Sequence, residues 1–147
     1  IASENKIYVG IRKEFCPPYI MKSPEYTHWY TVISGTRDHQ DEPAEQCMLR
    51  ELREETGLEP TEYEIIWQQD NIPMYKGSDR RSTNYILLIR KFNTHKMESD
   101  GSEGENLSTS KLVKLKDMKD IIQQPNCDYL LYSMYYIVMD ALKRIGK

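Results

Sequence analysis

Residues 35–58 read GTRDHQDEPAEQCMLRELREETGL, a polar loop that runs into a charged helix. Pro43 suits the first turn of a helix, because its φ is already helical and its missing N–H would find no partner there. Gly57 marks the far end, since a residue without Cβ readily takes the left-handed conformation that closes helices. The spacing therefore predicts a helix from Pro43 to Thr56. Within it Ala44, Cys47, Met48 and Leu52 fall mostly on one side, and the opposite side is charged.

That charge is unusually concentrated. Glu51, Glu54 and Glu55 stand at i, i+3 and i+4, so a helix stepping about 100° per residue presents all three on one face. Three carboxylates so close repel one another and weaken the helix. A hard divalent cation removes the repulsion, takes oxygen ligands readily, bridges phosphate oxygens and lowers the pKa of an attacking water. Arg50 is placed to pair with Glu54 one turn on and to hold that carboxylate in position. Alone, Glu-x-x-Glu-Glu describes a solvated face balanced by Arg50 and Arg53. The residues around it decide between the two readings.

The rest of the chain sets the frame. With 147 residues, 29% charged and 39% apolar, it reads as one folded domain, residues 1–147, able to bury a core. No stretch approaches the roughly 18 apolar residues of a membrane span, and Ile1-Ala2-Ser3-Glu4 shows no basic-then-apolar signal pattern. Cys16, Cys47 and Cys127 fit neither a zinc pattern nor a disulfide framework, which favours a reducing, cytoplasmic setting. A net charge of −3 argues against broad, non-specific grip on nucleic acid. It leaves room for a single nucleotide, or an RNA end, held through metal ions.

Ile1 to Arg12 reads as a hairpin turning at Ser3–Lys6, broken by Cys16-Pro17-Pro18-Tyr19. His28–Ile33, Tyr63–Trp67 and Thr83–Phe92 are rich in aromatic and β-branched residues and read as strands, with Lys111–Leu115 a shorter one. Lys76–Arg81 joins two of them, and His95–Asn106 is a polar loop. Tyr129–Ile145 carries Leu130, Met134, Ile137, Val138, Ala141, Leu142 and Ile145 at helical spacing. The sum is an α+β chain, a mixed sheet with two main helices.

Glu42, seven residues, then Arg50-Glu51-Leu52-Arg53-Glu54-Glu55-Thr56-Gly57-Leu58 resembles the Nudix hydrolase box, G-x5-E-x7-R-E-U-x-E-E-x-G-U with U bulky and apolar. Every position from the first glutamate onward matches. The box glycine falls on Thr36, with Gly35 just before it, and Thr36 can make the turn if its φ stays negative. The resemblance implies an α/β/α sandwich and magnesium or manganese. It implies Glu51, Glu54 and Glu55 as ligands together with the Gly35 carbonyl, Glu42 as an outer ligand, and Arg50 orienting the carboxylates. It also implies a late loop acid as ligand or general base. Glu98, Glu103 and Glu105 lie in such a loop, and Glu103 and Glu105 carry equal weight.

Substrate choice lies outside the box. Pro73 and Tyr75 follow Leu58 by fifteen and seventeen positions, spacings similar to those of ADP-ribose hydrolases and dinucleoside polyphosphate hydrolases respectively. Arg12, Tyr75, Arg80 and Arg81 are the candidate substrate-binding residues, with Lys76 beside the arginines. Tyr19, Trp29, Tyr30 and Tyr75 are candidates to stack on a base, with Trp29 and Tyr30 dividing between core and site. His28, His39 and His95 show no ligand spacing. Tyr129, Tyr132, Tyr135 and Tyr136 on the last helix point to packing or a dimer face, so monomer and homodimer both stay open. The reading is metal-dependent cleavage of a nucleoside-diphosphate-linked compound: ADP-ribose, a dinucleoside polyphosphate, or an FAD- or NADH-like dinucleotide. Two alternatives stand beside it: removal of a cap from an RNA 5′ end, and nucleotide sensing without hydrolysis.

Overall fold

Two neighbouring residues, Ile11 and Arg12, set out the layers. They lie in strand β1 (Tyr8–Phe15), and successive side chains of a strand point to opposite faces. The computed structural model describes residues 6–16, 25–74, 76–77, 79–97 and 107–147. In it β1 is central, antiparallel to β2 (His28–Thr31) on one side and to β5 (Thr109–Lys114) on the other.

On one face, Ile11 is fully buried in the main core with Leu115, Met118, Ile121, Ile122, Leu131, Tyr135 and Leu142. These come from a 3-10 turn (Leu115–Asp117), from α2 (Met118–Ile122) and from the long helix α3 (Tyr129–Arg144). On the other face, Arg12 reaches Glu55 of α1 (Ala44–Thr56). Helix, sheet and helix are thus stacked through consecutive residues of one strand, the α/β/α order that the resemblance implied.

The second sheet is the hairpin of β3 (Leu58–Pro73) and β4 (Arg81–Thr94). Its register shifts at four places, two of them flanking Glu62 just beyond Pro60. A proline offers no N–H to a ladder, and irregular pairing beside it is the usual accommodation. Ile86 of this hairpin packs with Met134 and Ala141 of α3, so α3 serves both sheets. Its first turn is held by Asp128, whose carboxylate accepts from Leu131 N at 2.7 Å and from Thr31 Oγ1 of β2 at 2.5 Å.

The expected mixed sheet resolves into two antiparallel sheets. Among the described residues, parallel pairing is confined to the isolated bridge Tyr30–Cys127. The short link between β3 and β4 forces that pair to be antiparallel, since parallel strands need a long crossover. The turn is made at Gly77, whose φ of 84° is left-handed. Ile1–Asn5, the first half of the expected N-terminal hairpin, lie outside the described residues; β1 runs on to Phe15. No helix among the described residues is long and apolar enough to cross a membrane, and Cys16, Cys47 and Cys127 are free thiols.

Candidate active site

Helix α1 begins and ends where its punctuation puts it. Pro43 sits at the N-cap position, and Cys47 N donates to its carbonyl at 3.0 Å. Gly57 closes the helix with φ 70°, its N–H donating to Arg53 O at 2.8 Å. A side chain there would also collide with the His95 carbonyl. Cys47 and Leu52 are buried, which turns the acidic face toward the preceding loop and β1.

Arg50 organises that face. Its Nε and Nη2 donate to Glu42 Oε1 and Oε2 at 3.0 and 3.2 Å. Its Nη1 donates to both Glu51 Oε1 at 3.0 Å and Glu54 Oε2 at 3.1 Å, and its Nη2 to the Thr36 carbonyl at 2.9 Å. Asp38 Oδ2 lies 3.3 Å from Nε. The fork of a guanidinium can satisfy several carboxylates at once, which an ammonium cannot. These bonds hold Glu42 below the usual carboxylate range and raise Arg50 further above its own.

The loop before the helix fits around Glu51. A Cβ on Gly35 would overlap the Glu51 carboxyl, and Thr36 N donates to Glu51 Oε1 at 3.2 Å. Gly35 is thus required by close approach and not by a left-handed φ. Thr36 keeps a negative φ, for Asn71 is the only non-glycine with a positive one among the described residues. The departure from the box glycine leaves the loop closed on the helix.

Glu55 faces the sheet. Arg12 Nη1 stands 3.4 Å from its Oε1. Its Oε2 is buried with no hydrogen-bond partner, a rare condition for a buried oxygen. Burial pushes the carboxyl up to about 7 against the pull of Arg12. Burial also raises Glu51. Among the described residues no three acidic, histidine or cysteine side chains are gathered at ligand distance around one point. Glu51 and Glu54 are drawn to one guanidinium, Glu55 to another. The donor set nevertheless suits a hard divalent ion: carboxylate oxygens on one helix face, one of them desolvated and unpartnered.

The NUDIX domain model matches residues 12–131 of this sequence. The chain belongs to the Nudix hydrolase family. Nudix enzymes are pyrophosphohydrolases and typically act with divalent metals. A crystal structure of an ADP compounds hydrolase is similar in fold to this Nudix chain, with a TM-score of 0.67 at 18% identity over 99% of this chain and 70% of that one. A structure of MutT, studied from the fish pathogen Aliivibrio salmonicida and from Vibrio cholerae, gives a TM-score of 0.48 at 18% identity. It covers 92% of this chain and 87% of that one. No curated protein matches.

Among the described residues, the other expected site residues of this Nudix domain stand on different elements. Arg12, expected among the substrate-binding residues, is buried against Glu55. Arg80 and Arg81 are exposed with Lys76 at the turn end of the β3–β4 hairpin. Tyr19, Tyr75, Glu98, Glu103 and Glu105 lie outside the described residues. Trp29 and Tyr30 lie on opposite faces of the sheet: Tyr30 packs on the main core, with Lys111 Nζ 4.6 Å from its ring centroid. Trp29 pairs across the strands with Glu14, on the Arg12 face. Asp38 was not foreseen beside Arg50, for it stands at a variable box position. Ser110, whose Oγ donates to the Glu55 carbonyl at 2.9 Å, carried no signal in sequence.

Proposed function

We propose that this chain cleaves the pyrophosphate link of a nucleoside-diphosphate-linked small molecule, with ADP-ribose and dinucleoside polyphosphates as the first substrates to test. The observation that carries the reading is the acidic face of α1, where Arg50 fixes Glu42, Glu51 and Glu54 and leaves the buried Glu55 Oε2 without a partner.

Glu51, Glu54 and Glu55, with the Gly35 carbonyl, would hold magnesium or manganese. Such an ion, when bound, lowers the pKa of water and neutralises phosphate charge. The remaining work falls to the protein's own groups. Arg50 keeps Glu51 and Glu54 side by side so that little reorganisation is needed as charge develops. Arg12 balances Glu55 from beneath. Glu103 or Glu105 accepts the proton of the attacking water. The water oxygen bonds to one phosphorus, the bridging P–O bond breaks, and the products are a nucleoside monophosphate and the phosphorylated remainder. Trp29 and Tyr75 are the candidate platforms for the base, and Arg80 and Arg81 for the distal phosphate.

The exposed cluster of Lys76, Arg80 and Arg81 at one end of the hairpin supports a second reading, in which the same chemistry removes a cap from an RNA 5′ end. A panel of ADP-ribose, diadenosine polyphosphates, NADH, FAD and capped RNA, with products identified by mass, separates the two. Glu54→Gln and Glu55→Gln should each lower turnover by about 10² or more with an unchanged circular dichroism spectrum. Near-full rates in both variants would leave the catalytic reading without support and favour a nucleotide sensor.

A further inference from the structure

The outward face of α3 carries a run of aromatic side chains that the catalytic site does not use. Tyr129 is 84% exposed, Tyr132 45% and Tyr136 53%. Their spacing of three and four residues puts them on one stripe of the helix. The stripe is ordered. Tyr136 meets Tyr132 edge-on at 5.3 Å between centroids, and it meets the buried Tyr135 at 5.2 Å. Rings held this way lose little freedom on binding, and tyrosines are frequent anchors at protein interfaces.

Charge continues the stripe toward the C-terminus. Asp140, Lys143 and Arg144 are exposed there, and Arg144 Nη2 pairs with Asp140 Oδ2 at 2.6 Å. The aromatic half and the charged half are equally spaced from Tyr136. Tyr129 precedes it by as many residues as Lys143 follows it, and Tyr132 matches Asp140 in the same way. A helix with this pattern is complementary to itself when reversed. We propose that α3 pairs antiparallel with α3 of a second copy of this chain, about a two-fold axis at Tyr136. Lys143 of each copy then covers the Tyr129 ring of the other, a cation–π contact, and the Tyr132 hydroxyl reaches Asp140. Parallel pairing is disfavoured, because it sets Asp140 on Asp140 and Lys143 on Lys143. The helix is about 24 Å long at 1.5 Å per residue. A contact along one helix is small for a specific interface, so the dimer should form and dissociate with concentration.

The test is sedimentation velocity of the full chain across a concentration series. The wild type should pass from monomer to dimer, and Tyr136→Glu should raise the dissociation constant about ten-fold or more with an unchanged melting curve. Lys143→Glu, an exposed position, should weaken the dimer in the same direction. Orientation is read with a short thiol crosslinker, against the wild-type chain as control for its own cysteines. A mixture of Tyr129→Cys and Lys143→Cys chains should give a cross-linked dimer that neither gives alone. A chain that stays monomeric at about 100 μM, a dimer indifferent to both charge variants, or efficient linking of Tyr129→Cys to itself would each overturn the proposal.

Discussion

The backbone of Gly35 lies against the carboxyl of Glu51 so closely that a methyl group at position 35 would occupy the carboxyl's place. The requirement for glycine is therefore set by a side chain sixteen residues further on. Gly35→Ala should push Glu51 off its bonds to Arg50 and Thr36. A displacement of about 1 Å can cost 10²-fold in rate, whereas a loop at the surface contributes little to stability. The expected outcome is a large fall in kcat with a melting temperature within a few degrees of wild type. Thr36→Gly, which keeps the same backbone donor and acceptor, should leave the rate nearly unchanged.

Arg50→Lys tests whether the guanidinium fork, and not charge alone, organises the face. Lysine can reach one or two of the four acids that Arg50 holds, and the others then repel. Turnover should fall about 10²-fold. The melting temperature measured in a chelator should also fall, and magnesium should restore more of it in the variant than in the wild type. Equal restoration in both would mean that Arg50 and the ion do not share the same carboxylates.

Arg12 and Glu55 are both largely buried. Removing one partner leaves the other charge uncompensated, and Arg12→Leu should cost about 3 kcal/mol. Adding Glu55→Gln to that chain should return part of the loss. A double-mutant cycle by denaturant unfolding measures the coupling. Strict additivity would show that the 3.4 Å pair contributes nothing to the fold.

Burial pushes the Cys127 thiol up to about 11. A thiol pKa higher in the folded state than in the unfolded one stabilises the fold while the thiol is protonated in both. That contribution is present in full below the ordinary thiol pKa of about 8.5 and is lost as pH rises toward 11. Stability of wild type relative to Cys127→Ser should therefore decline between these limits. At pH 8.5 the folded thiolate fraction falls about 100-fold below that of the unfolded chain, so alkylation of Cys127, followed by peptide mass mapping, should be correspondingly slow until denaturant is added.

The elements with sharp local punctuation were legible in sequence. Pro43 and Gly57 bounded α1 to within a residue, and apolar spacing placed α3 from Tyr129 almost to its end. The strand β2 was expected two residues longer, to Ile33, and of β3 only the apolar centre was legible. β3 extends well past Tyr63–Trp67, and β4 passes Thr83–Phe92 by two residues at each end, because the added lengths are mostly polar and gain their strand form from pairing with each other. α2 escaped notice, since five residues are too few to show a period; Met118, Ile121 and Ile122 declare it only once they are buried. In the site, i, i+4 spacing gave the Arg50–Glu54 bond now seen at 3.1 Å. The contacts of Asp38 and Ser110 depend on chain folding over long range and leave no trace in local pattern. Arg12 shows how strand alternation decides what residue type cannot. A basic residue suits phosphate, but its neighbour Ile11 belongs to the core, so Arg12 must point to α1.

Anchor and counter-charge sit on consecutive residues of β1, which makes this strand a frame that tolerates no slippage. Inserting or deleting a single residue before Ile11 would exchange the two positions, sending a guanidinium into the hydrocarbon interior and an isoleucine under the acidic helix. Packing and chemistry would be lost in one event. Natural length variation in this domain is therefore expected to be confined to the connections, with β1 passed on at constant phase.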